Sequence, residues 1–480
     1  MHPSSHSANS SAGTDSSAGT GRAIVVGGSV AGLLAARVLA DTFDHVLILD
    51  RDELPMAAVP LGTGSSSALP ARAFEPAVHR KGVPQSRHAH GLLDKGRAIL
   101  DDLLPGFTAD LVARGAVTAD THADVVWYND GRRMLRAPSD MTALCVSRPT
   151  LEAYIRSRVA ALPKVEIRSG VAVDGLTVAD GRVTGVRTQD EILPADVVVD
   201  ATGRSNRGPA WLTEHGYAAP PEDTVKAGLV YVTREYRRDP AAQDYAAIVV
   251  GHHPANPTST GTLAAEGDRW IVTLMGVNDD IPPSDGPGFE AFAARLDGPE
   301  LARLLATAEP LTEPTRFRIG PSARRRYERC ERLPEGYLAL GDSLCCFNPA
   351  YGQGMTTAAM AAQWLGQCLR SGTAGLTKRY FAGVTAIVDT PWDITVSGDL
   401  RFPHVPGRRT GRVKLLNAYL SKVHVAAQAD PFVGRTFLKA VNFLISPQQL
   451  MSPRMLWRVW RGRKAQPVAR TPVRERTPVA

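Results

Sequence analysis

The 480-residue chain is 44% apolar and 21% charged, a globular balance with room for two or three domains. Its net charge of +7 lies in residues 451–480, where eight Arg and Lys face Glu475 alone, so the neutral body excludes a nucleic-acid-binding domain. Five cysteines without a C-x-x-C pair exclude a disulfide framework and a zinc site and fit a reducing cytoplasm; no run reaches the ~18 apolar residues that span a membrane.

In chain order, residues 1–20 are rich in Ser, Ala, Gly and Thr without an apolar core, so neither a signal peptide nor a folded segment is expected. Residues 23–26 are an apolar run of the buried-strand type, and 33–39 repeat apolar positions at helical spacing. Between them lies Gly27-Gly28-Ser29-Val30-Ala31-Gly32. A turn this tight needs residues with little or no side chain, and the helix it opens offers unpaired N–H groups to an anion. The pattern is the dinucleotide fingerprint G-x-G-x-x-G with Ser29 in place of the middle glycine. The next strand, 45–49, ends in Asp50, about 20 residues past the turn, where a carboxylate meets a ribose. A hydrolase elbow, G-x-S-x-G, competes for the same residues; it fails at Ala31 and on its place after the first strand.

Residues 56–77, with Gly62-Thr63-Gly64-Ser65-Ser66-Ser67, read as a low-complexity surface loop. Hairpins follow at 125–136, turned by Asn129-Asp130-Gly131, and at 171–187, turned by Asp180-Gly181. Residues 196–200 form a buried strand ending in Ala201-Thr202-Gly203, and 206–330 are mixed and strand-rich. A second glycine segment then runs from Leu340-Gly341-Asp342-Ser343 to Asn348-Pro349-Ala350-Tyr351-Gly352-Gln353-Gly354-Met355, again strand, turn and helix start. The last hundred residues or so read as helical.

This order of elements resembles the FAD-dependent monooxygenases of the para-hydroxybenzoate-hydroxylase type, from residue 22 to about 461. The segment Arg80-Lys81-Gly82-Val83-Pro84-Gln85-Ser86-Arg87-His88-Ala89-His90 is similar to one in an actinobacterial subgroup of hydroxylases and olefin epoxidases of polyketide and polyether pathways. The resemblance implies an α/β fold. A discontinuous Rossmann-like FAD-binding domain of the glutathione-reductase type would occupy 21–205 and 331–372. A mixed-sheet α+β substrate domain would occupy 206–330, a C-terminal helical region 373–464 and a basic tail 465–480. Gly27, Ser29, Ala31 and Gly32 would face the FAD diphosphate and Asp50 the adenosine ribose, with Gly28 and Arg51 also in the cofactor-binding set. Arg148 would contact the diphosphate and ribityl region, and Asp342 would accept a ribityl hydroxyl. Pro349, Gly352, Gln353, Gly354 and Met355 would lie along the isoalloxazine ring, whose reduced form the helix N-terminus near Gly354 can stabilise.

The implied chemistry passes one oxygen atom of O2 from a flavin hydroperoxide to a bulky, largely apolar secondary metabolite such as a polyketide. Such transfer, by epoxidation or hydroxylation, needs a dry pocket and no nucleophilic side chain, so no catalytic residue is assigned. Trp211 and Trp270 are candidates for the pocket wall or the core. Thr202 departs from the pattern, standing where relatives carry an aspartate tied to FAD and NADPH; the electrons are expected from NAD(P)H or a separate flavin reductase. A flavin-dependent halogenase would share the fold, but its W-x-W-x-I-P signature is absent, the nearest motif being Trp457-Arg458-Val459-Trp460. A non-redox cyclase holding FAD structurally is the third class. His88 and His90 lack a third ligand at useful spacing, so a structural or substrate-side role is expected rather than a metal. For residues 432–460, which mix Phe, Leu, Trp and Arg, helices packed on the enzyme body are expected rather than membrane contact.

Overall fold

Strand β1 (Arg22–Val26) is apolar on both faces, with Ala23, Ile24 and Val25 fully buried, as suits the middle of a parallel sheet covered on both sides. In the computed structural model, which describes residues 21–55, 79–278 and 280–462, it is the central strand of five. The order is Tyr337–Ala339, Val197–Asp200, β1, β2 (His45–Leu49) and Val165–Arg168, all parallel. The edge strand Tyr337–Ala339 comes from far down the chain, so this sheet closes only after residues 201–336 have been laid elsewhere. Helix α1 (Val30–Leu39) returns from β1 onto the sheet and packs against the helix Gly354–Leu369, which brings the two glycine segments to one end of the sheet. The tails expected at 1–20 and 465–480 and the loop expected at 56–77 lie outside the described residues.

A second sheet of seven strands stands beside the first. Its order is Thr315–Arg318, Leu229–Arg237, Arg269–Val277, Thr258–Ala265, Ala247–Val250, Val125–Asn129 and Arg132–Arg133. Residues 206–330, expected as a substrate domain, supply five of its strands, and residues 125–133 supply the other two. Val125–Asn129 runs parallel to Ala247–Val250, with Val126 opposite Ile248, because burying Val125, Val126 and Tyr128 needs the apolar layer that the second sheet supplies. The other expected hairpin forms between Val173–Ala179 and Arg182–Thr188, its Asp180 and Gly181 both left-handed as a two-residue turn requires. Trp211 and Trp270, each 1% exposed, belong to the two cores and not to a pocket wall.

The C-terminal part is helical, with Leu376–Asp399, Gly411–Ala427, Pro431–Val441 and Pro453–Gly462. The last three share a small core of Val423, Val433, Leu438, Met455 and Val459 with Met134 and Met141. Among the described residues no helix is long and apolar enough to cross a membrane. All five cysteines are free thiols.

Candidate functional site

The chain leaves β1 and Val197–Asp200 through turns that face one another. At Gly27 φ is +114° and a Cβ would overlap the Ala201 carbonyl oxygen, so glycine alone lets the two strand ends approach. These turns and the segment 341–355 enclose one cavity of about 740 Å³. The expected cofactor-binding residues all line it except Gly28 and Gly32. Gly28 donates its N–H to Asp50 Oδ2 at 2.6 Å. A Cβ on Gly32 would overlap the Gly27 carbonyl oxygen, so this glycine seats α1 on the turn instead of facing a ligand.

One end of the cavity is densely charged. Asp50 takes the Gly28 and Asp52 N–H groups and Arg80 Nη1 at 3.3 Å, which leaves its carboxylate rigid at the end of β2. Ser29 precedes α1 without capping it; its hydroxyl donates to Glu152 Oε2 at 2.7 Å. Arg148 Nη2 donates to Ser29 Oγ at 2.8 Å and to Glu152 Oε2 at 3.0 Å. Glu152 also receives Arg80 and Arg156. Burial alone would raise the Glu152 pKa, but Arg148, Arg80, the Ser29 hydroxyl and Arg156 hold it down at about 2. Glu152 and Arg80 were not among the expected site residues. The available signal was the i,i+4 spacing from Arg148 to Glu152 on the helix Arg148–Ala160.

Behind the cavity wall the fully buried Asp200 ties the Thr202 turn to the second glycine segment. Its Oδ1 accepts from Thr202 Oγ1 at 2.7 Å and Ser343 Oγ at 3.0 Å, and its Oδ2 from Tyr337 OH at 3.2 Å. Asp342, half-buried beside it, is pushed above the usual carboxylate range by desolvation, against the pull of Arg204, Arg148 and Arg325. Beyond it, Asn348 caps the turn Pro349–Tyr351 through the Ala350 N–H and donates to Asp399 at 2.8 Å. Gly352 is left-handed at φ +67°, and the helix Gly354–Leu369 then starts with its N-terminus on the cavity. The far wall is largely apolar, with Tyr231, Phe317, Ile319, Phe347 and His88.

A dinucleotide fits these residues. The first-turn N–H groups of α1 have no partner within the helix, Gly27 presents no side chain, and the buried Arg148 Nε has no partner among the described residues. No group of three His, Cys, Asp or Glu among the described residues is arranged to hold a metal ion.

No protein-family model matches the chain. It is 32% identical over 449 residues to Protein Rv3254 of Mycobacterium tuberculosis, spanning 88% of this chain and 90% of that protein. Among solved structures it is similar to a flavoprotein/dehydrogenase from Cytophaga hutchinsonii, at 14% identity over 93% of this chain and 100% of that one, with a TM-score of 0.63. It is also similar to PqsL from Pseudomonas aeruginosa, a probable FAD-dependent monooxygenase, at 15% identity over 80% and 97%, TM-score 0.58. The flavin-dependent brominase Bmp2 shares 15% identity over 92% and 93%, TM-score 0.57. At these identities the structural likeness concerns the fold.

Proposed function

We propose that this chain, which belongs to the family of Protein Rv3254 and has the fold of the FAD-dependent monooxygenases of the para-hydroxybenzoate-hydroxylase type, inserts one atom of O2 into a bulky, largely apolar small molecule. The observation that carries this reading is the single cavity in which a dinucleotide turn, Asp50, Arg148 and the 341–355 segment meet an apolar wall.

Bound FAD would supply the two-electron activation of O2. Substrate, O2, two electrons and two protons then balance to oxygenated product and water. The chain's own residues do the rest. Gly27, Ser29 and Ala31 admit the diphosphate, and Arg148, clamped between Ser29 and Glu152, neutralises it. Asp50 receives the ribose and Asp342 a ribityl hydroxyl. The N-terminus of Gly354–Leu369 stabilises negative charge at the ring end. Phe317, Ile319 and Phe347 keep water from the reacting atoms. Thr202, bonded to Asp200, presents no carboxylate to the cavity, which favours a separate flavin reductase over direct NAD(P)H reduction.

The test is purification followed by oxygen uptake with reduced flavin across a panel of polyketide-like phenols and alkenes. A yellow protein with substrate-stimulated uptake and a product heavier by one oxygen is expected, and whether that oxygen bridges two former alkene carbons or sits as a hydroxyl separates epoxidation from hydroxylation. A colourless protein, or uptake that yields hydrogen peroxide alone, overturns the reading. A brominated product in bromide would make the protein a halogenase. Turnover with oxidised FAD under anaerobic conditions would make it a non-redox cyclase.

A further inference from the structure

The apolar wall carries two polar atoms that have no partner among the described residues, His88 Nε2 and Tyr231 OH. The side chains are 1% and 4% exposed, and their rings meet edge-on with centroids 5.6 Å apart. Buried donors without partners are rare in native proteins, and two on one ligand-sized cavity mark a place where a ligand supplies the acceptor.

The proton on His88 is set by its neighbours. Thr233 and Thr273 sit directly opposite one another on the antiparallel strands Leu229–Arg237 and Arg269–Val277. Thr273 Oγ1 accepts the Ala89 N–H at 2.8 Å and lies 2.6 Å from Thr233 Oγ1, which lies 2.6 Å from His88 Nδ1. Among the described residues Thr233 Oγ1 is the one acceptor within reach of the Thr273 hydroxyl proton, so satisfying that proton turns it onto Thr233, whose own proton then goes to His88 Nδ1. The imidazole is thus the Nε2–H tautomer. Burial, with Arg87 and His79 nearby, lowers its pKa to about 4, so it is neutral near pH 7. Burial raises the Tyr231 hydroxyl well above its ordinary value, so that group keeps its proton as well.

We propose that His88 Nε2–H and the Tyr231 hydroxyl form a two-donor subsite for one oxygen atom of the substrate, a phenol, enol or ketone oxygen conjugated to the carbon that is oxidised. Two neutral donors suit such an oxygen better than a carboxylate, which asks for a cation. The inference rests on the monooxygenase reading for what is done to the substrate, and it points to electron-rich phenols and enols in preference to unactivated alkenes. Thr233 is a positioning residue, acting through the His88 tautomer.

The experiment titrates the purified holoprotein with 2-naphthol and with 2-methylnaphthalene, which has the same shape without the accepting oxygen. The wild type is expected to prefer 2-naphthol about tenfold. Tyr231→Phe and His88→Leu each shrink that preference, the double variant erases it, and His88→Gln, which keeps an N–H, retains part of it. Tyr231→Phe serves alone if the His88 variants fail to fold. Independently, nitrogen-detected spectra of the His88 ring should give the Nε2–H tautomer in the wild type and a mixture in Thr233→Val. No preference in the wild type, a preference that survives the available variants, or an Nδ1–H tautomer overturns the subsite. A colourless protein whose preference still depends on His88 or Tyr231 overturns the flavin reading and leaves the subsite standing. A yellow protein indifferent to the naphthol oxygen does the reverse.

Discussion

The two ends of the cavity solve opposite problems. At the Asp50 end, the buried carboxylate of Glu152 meets three guanidinium groups and a hydroxyl, a charge-paired cluster that leaves Arg148 Nε open toward a ligand. At the far end the wall is largely apolar, and His88 and Tyr231 are left with open hydrogen-bonding positions. A charged, paired end suits an anionic cofactor that stays; an apolar end with neutral open positions suits a substrate that comes and goes. The contrast makes the first region a matter of stability and the second a matter of selectivity.

The largest expected effect tests whether the first end is as rigid as its packing says. Gly32→Val places side-chain atoms against the Gly27 carbonyl oxygen, a backbone atom that cannot swing aside. A loss of roughly 3 kcal/mol or more, with loss of FAD, is expected from thermal unfolding and from cofactor content. Ser29→Gly should retain FAD, and if both variants behave alike the packing role of Gly32 is wrong.

Next in size is Glu152→Gln. It leaves Arg80, Arg148 and Arg156 without their shared counter-charge, and about 3–5 kcal/mol should vanish from denaturant unfolding. Because the folded pKa is depressed from 4.5 to about 2, the wild-type contribution is present above the unfolded value and fades as pH falls from about 4.5 to about 2. Glu152→Gln should flatten that window; an unchanged acid profile would remove Glu152 from the cluster's centre.

The smallest effects belong to the far end and the turn beside it. His88 is lowered from 6.5 to about 4, so its stabilising neutrality is present above 6.5 and lost as pH falls through 4. Asp399, raised by burial from 3.8 to about 6 despite its bonds to Asn348 and Tyr351, works the other way, its stabilisation lost as pH rises through 6. Between pH 4 and 6 the two slopes oppose. Against the rising contribution of the other buried histidines, His90, His252 and His424, His88→Gln should make the pH slope of stability less positive across that range and Asp399→Asn should make it more positive; equal profiles in all three proteins would sink the assignment.

Much of the Asp50 end was legible because it is local. A strand, a turn and a helix start within residues 22–39 are constrained by backbone sterics, and the sequence spells those constraints out in glycines. What it could not separate was the reason for each glycine, since Gly27 faces the cavity while Gly32 only seats a helix. The place of Val125–Asn129 in the second sheet was not legible, because its parallel partner lies more than a hundred residues away. Trp211 and Trp270 were equally plausible as wall or core from composition, and burial decided for the core. The His88 and His90 pair was visible, but the hydroxyls that orient His88 sit on two other strands.

The sequence by itself determined the α/β class, the dinucleotide turn, the second glycine segment and the helical C-terminus, because each is written in neighbouring residues whose backbone preferences act over a few turns of chain. Only the tertiary structure decided which residues share one cavity, that Glu152 gathers the guanidinium groups, and which hydroxyl meets Nδ1 of His88. Those depend on strand register and burial, where a threonine paired with a threonine meets a histidine 145 residues away in the chain and no local pattern records it.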